Sequence, residues 1–343
     1  MQQSGVPRCA ILSGEPREAS GCETPRVLNV ARCAAAAWPL AARAAPPTRL
    51  VMIGVISPLS FPAIEGLRKG FRELGYIEGQ NLRLEYRWAD GPAEQYVSVA
   101  EELLRLGVDA IVTWGTPATM GTRRATATVP IVMAAVGDPF ASQLIPNLAR
   151  PGGNVTGFTS LASELEVKRL QVLRELVPNL QRLGILSNPA NRAVDIAARN
   201  VQQEAKSRGL TIEAAELRGN DVRQALVELR DAHPDAILVL ADPILLNHAK
   251  DIVAFMSAQR LVAMYAYRDF VQVGGLLSYG TNYHELFRRT AGYVDRILNG
   301  TNPGDLPVQQ ADRFELIINL NTAKEFGLEV PATVLALADE VIE

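Results

Sequence analysis

The sequence predicts an α/β protein made of two doubly wound lobes, each with a parallel sheet covered by helices. Three observations predict this architecture. Short β-rich apolar runs alternate with amphipathic helical stretches from Leu50 onward, and this alternation is typical of parallel sheets buried on both faces. The alternation comes in two blocks of similar length that meet near Ser160. The length of 343 residues also suits two domains.

The first block contains five predicted strands. Its opening run, RLVMIGVIS, is rich in β-formers, and the stretch over 63–76 has apolar residues at helical spacing, with Gly75 as a stop signal. LRLEYRWA then alternates in the manner of a strand, and a second amphipathic helix is predicted over 92–107. The block continues with the strand AIVTWG, a helix over 117–127, and the strands IVMAAV and VTGFTS.

The second block repeats the pattern. Its helices are predicted over 163–177, 192–208, 221–231 and 244–259, and its strands are LGILSN, TIEAAEL, AILVLA, VAMYAY and GGLLSYG. After it come a helix over 284–299, a turn at NGTNPGD, a last strand FELIINL and two short helical segments. These elements are too few for a third domain. We therefore expect them to complete the two lobes, with the chain crossing between the lobes more than once.

Five predicted strands end alike, in one small polar residue followed at once by proline. The polar residues are Ser57, Thr116, Asp138, Asn188 and Asp242. Each is a good helix-capping type, and proline suits the first helical position because its missing N–H would be unpaired there. Helix starts at the carboxyl ends of parallel strands suit a carboxylate or phosphate, and the two aspartates would suit an ammonium group. We predict a cleft between the lobes that binds something small and polar, whereas any one Asp-Pro alone is typical of an ordinary stabilising cap.

The sequence offers little for catalysis or for a cofactor. It holds no G-x-S-x-G, G-x-G-x-x-G, Walker or H-E-x-x-H motif, and GTPATMG lacks the lysine of a nucleotide loop. All three cysteines lie in the first 33 residues, and none of the three histidines forms an H-x-x-x-H pair, which argues against a metal centre. We expect no cofactor and no reaction. The enzyme alternative is an isomerase or transferase with Asp138 and Asp242 as an acid–base pair.

The net charge and the N-terminal residues indicate which partners to expect and where the protein is located. The net charge of −3 gives no sign of a nucleic-acid surface, so no nucleic-acid partner is expected. Residues 1–48 differ in texture from the rest, and CAAAAWPLAARAAPPTR offers Ala42-Arg43-Ala44 as an A-x-A cleavage site. We interpret this stretch as the end of an export signal, which implies a periplasmic protein. The alternative is a disordered leader that is never cleaved.

Several stretches resemble a known family. GFRELGYIEGQNLRLEYRWADG, TPATMGTRRATATVPIVMAAVGDPFASQLIPNLARPGGNVTGFT and INLNTAKEFGL resemble the ABC-transporter substrate-binding proteins of the group that includes tryptophan- and tyrosine-binding members. The resemblance spans roughly residues 50–330. AAAAWPLAARA is similar to the end of a twin-arginine export signal, whereas the Arg-Arg-x-Phe stretch of such signals is missing upstream.

The resemblance implies a type I periplasmic-binding-protein fold, in which two lobes joined by a three-strand hinge close on a ligand. The lobes would be residues 49–160 plus 281–308 and residues 161–280 plus 309–343, after the leader or disordered segment over 1–48. The resemblance also implies delivery of the ligand, an amino acid or similar small carboxylate, to an ABC permease in the membrane. We expect a monomer. The runner-up is a ligand-sensing module on the same fold that feeds a receptor or regulator.

The resemblance also implies binding residues. The matching positions are Thr116, Pro117, Ala118, Asp138, Asn188 and Asp242. Thr116 and the N–H groups after it would hold a carboxylate, and Asp242 would hold the amine of an amino acid. Asn188 and Asn191 would orient polar groups from the second lobe.

Further candidates lie near the same strand ends. The predicted ligand-binding set also includes Ser57, Tyr279 and Arg268. Arg268 directly follows the strand VAMYAY, which would place it at the rim of the pocket. Arg268 would equally form a solvated pair with Asp269. The aromatic candidates for an apolar part of the ligand, each also compatible with a core position, are Phe61, Trp114, Tyr265 and Tyr267.

Overall fold

The computed structural model describes residues 49–343, and the predicted leader over 1–48, with its cysteines, lies outside the described residues. The strands are β1 (Val51–Ser57), β2 (Leu82–Trp88), β3 (Ala110–Trp114), β4 (Ile131–Val136), β5 (Val155–Thr159), β6 (Arg182–Ser187), β7 (Thr211–Glu216), β8 (Ala236–Val239), β9 (Ala263–Tyr265), β10 (Leu277–Thr281), β11 (Gln309–Gln310), β12 (Phe314–Asn319) and β13 (Glu340–Ile342). The helices are α1 (Ile64–Glu73), α2 (Ala93–Leu106), α3 (Thr116–Ala125), α4 (Ala162–Leu176), α5 (Arg192–Ser207), α6 (Arg223–Asp231), α7 (Pro243–Asn247), α8 (Ala249–Gln259), α9 (Arg268–Gln272), α10 (Tyr283–Leu298), α11 (Leu320–Phe326) and α12 (Ala332–Leu335), with a 3-10 helix at Pro303–Asp305. Within residues 49–343, no helix has both the length and the apolar character needed to cross a membrane.

Two separate sheets carry the fold. The first has the strand order β11-β5-β4-β3-β1-β2, and all its neighbouring strands are parallel. The second has the order β13-β12-β10-β9-β8-β6-β7 and is parallel except where β12 runs antiparallel to β10. Strand order reverses beside β1 and beside β6, and such reversals open a crevice at the carboxyl ends of the strands. The predicted α/β fold with two doubly wound sheets is confirmed.

The chain passes between the two sheets three times. β5 leads into α4, which packs on the second sheet; β10 leads into α10, which packs on α1 and β4; and β11 leads into β12. Hydrogen bonds join the passages side by side. Thr281 Oγ1 donates to the Ser160 carbonyl at 3.0 Å. The Ala311 N–H donates to the Thr159 carbonyl at 2.9 Å, so the three passages lie together between the sheets.

The structure differs from the predicted elements in three places between residues 244 and 310, and it adds an unpredicted strand, β13. The helix predicted over 244–259 is two helices, α7 and α8, because His248 has a φ of −95° and a ψ of 16°, which interrupts the helical path. The sequence did not predict α9, whose five residues are too few to show an apolar period. Gln309 and Gln310 pair with β5, so the first sheet extends past the boundary predicted at 308.

Helices α1 and α10 pack closely because two glycines of α1 face α10. A Cβ on Gly66 would lie 2.1 Å from the His284 carbonyl oxygen, and one on Gly70 would lie 2.2 Å from the Arg288 carbonyl oxygen. No side chain fits at either distance. These glycines therefore set the spacing of the two helices, and α10, which follows the second lobe in sequence, is held against the first sheet.

Candidate functional site

The carboxyl ends of both sheets meet at a narrow space, which we call the cleft cavity. Its lining includes Trp114 at the end of β3, Thr116 and Gly137 just after strands of the first sheet, and Asn191 and Tyr267 just after strands of the second. Its volume is about 20 Å³, which is room for about one water molecule. The two lobes are therefore in contact around it.

Thr116 presents an unpaired hydroxyl to the cleft cavity. The residue is buried, and its Oγ1 has no hydrogen-bond partner. The prediction that Thr116 caps α3 is wrong, because Gly115 takes the N-cap position with a φ of 87° that favours glycine and offers no side-chain cap. Among the described residues, the N–H groups of Thr116 and Ala118 find no backbone acceptor. The Thr116 hydroxyl and the N–H groups at the start of α3 thus supply hydrogen-bond donors next to each other, an arrangement suited to a carboxylate.

Asp242 lies buried behind the cavity, and its carboxylate accepts four hydrogen bonds. Its Oδ1 accepts from the N–H groups of Ile244 and Leu245 at 2.9 and 3.1 Å, which caps α7 as predicted. Oδ1 also accepts from Asn188 Nδ2 at 3.2 Å, and Oδ2 accepts from Asn191 Nδ2 at 2.9 Å. Burial raises the pKa of Asp242 above its usual range, and these hydrogen bonds act against that rise. The carboxylate thereby fixes the orientation of both asparagine side chains.

Ser57 does not cap a helix. Its Oγ donates to the Leu59 carbonyl at 2.7 Å, and α1 begins only at Ile64. The delay follows from a second proline, because Pro62 disfavours the helical conformation at Phe61. Ser57 does not line the cleft cavity.

Asp138 and Asn188 are also displaced from their predicted capping roles. Asp138 Oδ1 accepts from the Ala141 N–H at 2.9 Å and closes a turn, since no helix follows it. Helix α5 is capped by Asn191, whose Oδ1 accepts from the Ala193 N–H at 3.2 Å. Of the predicted binding residues, Thr116 and Asn191 line the cleft cavity, and the others, Pro117 and Ala118 included, are not part of its lining.

Aromatic rings fill the space beside the cavity. Trp114 and Tyr267 line it, and Phe61 stacks on Trp114 with ring centroids 4.3 Å apart and planes at 11°. No third ring fits between two rings at that separation. Tyr265 instead stacks on Phe270 at 4.6 Å and is buried within the second lobe, so it belongs to the core.

A second cavity, of about 240 Å³, shares Tyr283 with the cleft cavity. Arg268 lines it, and its guanidinium pairs with Glu315 at 3.2 Å and with Glu340 at 2.8 Å. The predicted alternative pairing with Asp269 is therefore replaced by two carboxylates from the end of the chain. Tyr279 lines neither cavity.

Sequence reasoning did not predict most of the other residues that line the cleft cavity, among them Ser160, Gly137 and Tyr283. Ser160 and Tyr283 lie beside the passages between the sheets. Their closeness in sequence to the predicted lobe boundaries at 160 and 280 is the signal that could have identified them. Gly137 lies where the lobes touch, since a Cβ on it would be 2.9 Å from the Cβ of Ala193. The sequence around Gly137 does not indicate that helix α5 of the second lobe approaches it.

A buried ion pair lies next to this site. Arg169 and Glu166 on α4 have side chains 1% and 0% exposed, with Nη1 and Oε1 2.6 Å apart. Glu166 Oε1 accepts from the N–H of Ala241, the residue before Asp242, at 2.8 Å. Arg169 Nε donates to the Tyr279 carbonyl at 2.5 Å. The pair thus joins the loop that carries Asp242 to β10, one of the strands that lead into the passages between the sheets.

The cleft cavity is lined by neutral side chains. The lining of the cleft cavity contains no Asp, Glu, Lys, Arg or His side chain. Across residues 49–343, no three His, Cys, Asp or Glu side chains are grouped so that they could hold a metal ion. What the site offers is neutral hydrogen-bond donors, aromatic surface and enclosure between two lobes.

Comparisons with known proteins agree with this geometry. A "Tyrosine-binding protein" of Clostridioides difficile is 25% identical over 282 residues, which cover 81% of this chain and 81% of that protein. The ABC domain of Streptococcus pneumoniae, solved in complex with L-Trp, is 27% identical, covering 85% of this chain and 100% of that chain, with a TM-score of 0.79. A periplasmic binding protein of Burkholderia mallei shares the fold alone, with a TM-score of 0.54 at 13% identity over 76% of this chain and 81% of that chain.

These similarities confirm the predicted type I periplasmic-binding-protein fold. The relatives that the comparisons name are binding proteins. The family described as "ABC transporter substrate binding protein" matches residues 52–342, nearly the whole of the part that the structure describes. The chain therefore belongs to the ABC transporter substrate-binding protein family.

Proposed function

We propose that this protein is an exported solute-binding protein that captures an amino acid or similar small carboxylate in the cleft cavity and delivers it to an ABC importer. The observation that carries this proposal is the unpaired, buried hydroxyl of Thr116 at the start of α3. Buried polar groups are nearly always hydrogen-bonded, and a carboxylate would pair with this hydroxyl and with the free N–H groups beside it. Relatives that bind tyrosine and tryptophan support the same ligand class.

Capture would work by hinge closure. An amino acid does not fit in about 20 Å³, so the ligand must enter while the lobes are apart. The three hydrogen-bonded passages between the sheets supply a natural axis for that motion. Closure over the ligand would then bury it between Thr116 and Asn191, and the measured affinity would depend on how readily the free protein closes.

A thermal-shift screen of the purified protein tests the ligand class. The screen covers the twenty amino acids, small carboxylates, sugars and purines. A ligand at 100 times its Kd stabilises the folded state by about 2.7 kcal/mol, which gives a clear shift in Tm. We expect saturable shifts among amino acids or carboxylates. Shifts confined to sugars or purines would contradict the proposal.

Replacing Thr116 with valine is expected to weaken binding of the ligand so found by about 10- to 150-fold, because a hydrogen bond to a charged group contributes about 1.5–3 kcal/mol. Isothermal titration calorimetry measures the change. The matched control is Thr122→Val in the same helix, whose hydroxyl donates to the Ala118 carbonyl at 2.8 Å outside the cavity. Equal losses in both variants would show that Thr116 does not hold the carboxylate.

Replacing Gly137 with alanine is expected to hinder closure and weaken ligand binding by about 5- to 150-fold, since the steric cost of such overpacking is about 1–3 kcal/mol. The added Cβ would meet the Cβ of Ala193 at 2.9 Å across the cleft. Small-angle scattering with saturating ligand should show a larger radius of gyration than in the unmodified protein. The double variant Gly137→Ala, Ala193→Gly removes the opposing methyl group and should recover most of the affinity. A double variant no better than the single one would exclude this contact as the limit to closure.

A further inference from the structure

The cleft cavity offers donors for a carboxylate but no charged side chain to pair with an ammonium ion. Thr116 supplies the hydroxyl, and no carboxylate side chain is among the residues that line the space. An ammonium ion enclosed between closed lobes needs a counter-charge or several good acceptors, because a buried charge without them is costly. The two carboxylates at the predicted strand endings, Asp138 and Asp242, are the obvious candidates for that task.

Asp242 is already held by four hydrogen-bond donors. It is 1% exposed and accepts hydrogen bonds from two helix N–H groups and from the amides of Asn188 and Asn191. Asn191 lines the cavity and Asp242 does not, so a ligand in the cavity meets the Asn191 amide first. An ammonium group in the cavity therefore lies against the Asn191 amide, and it would contact Oδ2 only if that amide moved. Displacement would also disturb Asn191 Oδ1, which caps α5, and would leave buried donors unpaired.

Asp138 does not face the cavity either. Its Oδ1 caps a turn through the Ala141 N–H, and Gly137 takes its place in the lining. The side-chain hydroxyls that remain are those of Ser160, Tyr267 and Tyr283. Hydrogen bonds from an ammonium ion to neutral oxygens are weaker than those to a carboxylate.

From this arrangement we propose that the ligand is a monocarboxylate without an α-ammonium group. The carboxylate binds at the start of α3 through Thr116, and the apolar body of the ligand packs against the aromatic side chains of Trp114, Tyr267 and Tyr283. This inference rests on the proposed function and narrows its ligand class. A zwitterionic amino acid binds more weakly because its ammonium group loses water without gaining a charged partner.

Isothermal titration calorimetry on the purified protein tests the inference with four matched pairs. They are L-phenylalanine and 3-phenylpropionate, L-tyrosine and 3-(4-hydroxyphenyl)propionate, L-tryptophan and 3-(indol-3-yl)propionate, and L-leucine and 4-methylpentanoate. The members of each pair differ only in the ammonium group. We expect every acid that binds to do so at least tenfold more tightly than its amino acid. An amino acid that binds as tightly as its acid overturns the inference and leaves the proposed function standing, and silence from all eight compounds overturns the inference.

The position of the acid is tested with Thr116→Val. If the carboxylate binds at the start of α3, this variant should lose at least tenfold in affinity for the acid while its Tm without ligand stays close to that of the unmodified protein. Undiminished affinity would place the acid elsewhere and overturn the inference. The Thr122→Val control keeps full affinity if the effect belongs to the cavity and not to the helix.

Discussion

Replacing Arg169 with methionine is expected to lower the free energy of unfolding by about 3–5 kcal/mol, because breaking a buried ion pair leaves the remaining charge without a partner. In this variant the Glu166 carboxylate, which is 0% exposed, would keep only the hydrogen bond from the Ala241 N–H. The Tyr279 carbonyl would lose its donor at the same time. Urea unfolding at neutral pH, followed by circular dichroism, measures the loss.

The double variant Glu166→Gln, Arg169→Met separates a charge effect from a packing effect. Glutamine keeps an acceptor for the Ala241 N–H without a charge, so we expect the double variant to recover most of the lost stability. A double variant as unstable as Arg169→Met alone would mean that the bulk and shape of the arginine matter, and not its charge. A surface pair gives the scale for comparison: Arg199→Met breaks the exposed pair with Asp195 and should cost less than about 1 kcal/mol.

The second large effect is expected where α1 meets α10. Gly70→Ala should destabilise the protein by about 1–3 kcal/mol, the usual cost of overpacking. The new methyl group would lie 2.2 Å from the Arg288 carbonyl oxygen and 2.8 Å from the Ala291 Cβ, so the two helices must move apart. Thermal and urea unfolding of the purified variant measure the change.

Gly292 supplies the matched control on the partner helix. It lies within α10, and a Cβ added there meets nothing within 4 Å. Because alanine is the better helix former, Gly292→Ala should stabilise the protein by about 0.5–1 kcal/mol. The same chemical change thus has opposite signs at two positions. Destabilisation at both would show that the spacing of α1 and α10 is not the cause.

Much of this fold is predictable because local patterns decide it. The alternation of apolar strands and amphipathic helices fixes two parallel sheets, and it places Thr116 and Asn191 at the carboxyl ends of strands, where the structure finds them lining one cavity. The capping roles were predicted less well. Whether the polar residue of a polar-Pro pair caps a helix depends on its neighbours on both sides. Pro62 delays the helix that follows Ser57, and Gly115 takes the N-cap position before Thr116.

Other features depend on contacts that no local pattern reports. The stack of Phe61 on Trp114 joins segments from different strand ends, and only the folded chain brings the two rings to 4.3 Å. Glu166 and Arg169 are three residues apart on a helix, a spacing typical of exposed pairs. Their burial comes from the packing of α4 against the second sheet, which the spacing alone does not reveal.

The late position of α10 has a consequence for how the chain matures on the ribosome. Helix α1 ends at Glu73, whereas α10 ends at Leu298 and β11 begins only at Gln309. At a synthesis rate of about 5–20 residues per second, the nascent α1 waits roughly 10–45 s for its partner helix. The second sheet is not completed any earlier, since its edge strand β13 ends at Ile342. Neither sheet is complete until these late strands are made, and throughout that interval the face of α1 that carries Gly66 and Gly70 has no partner helix.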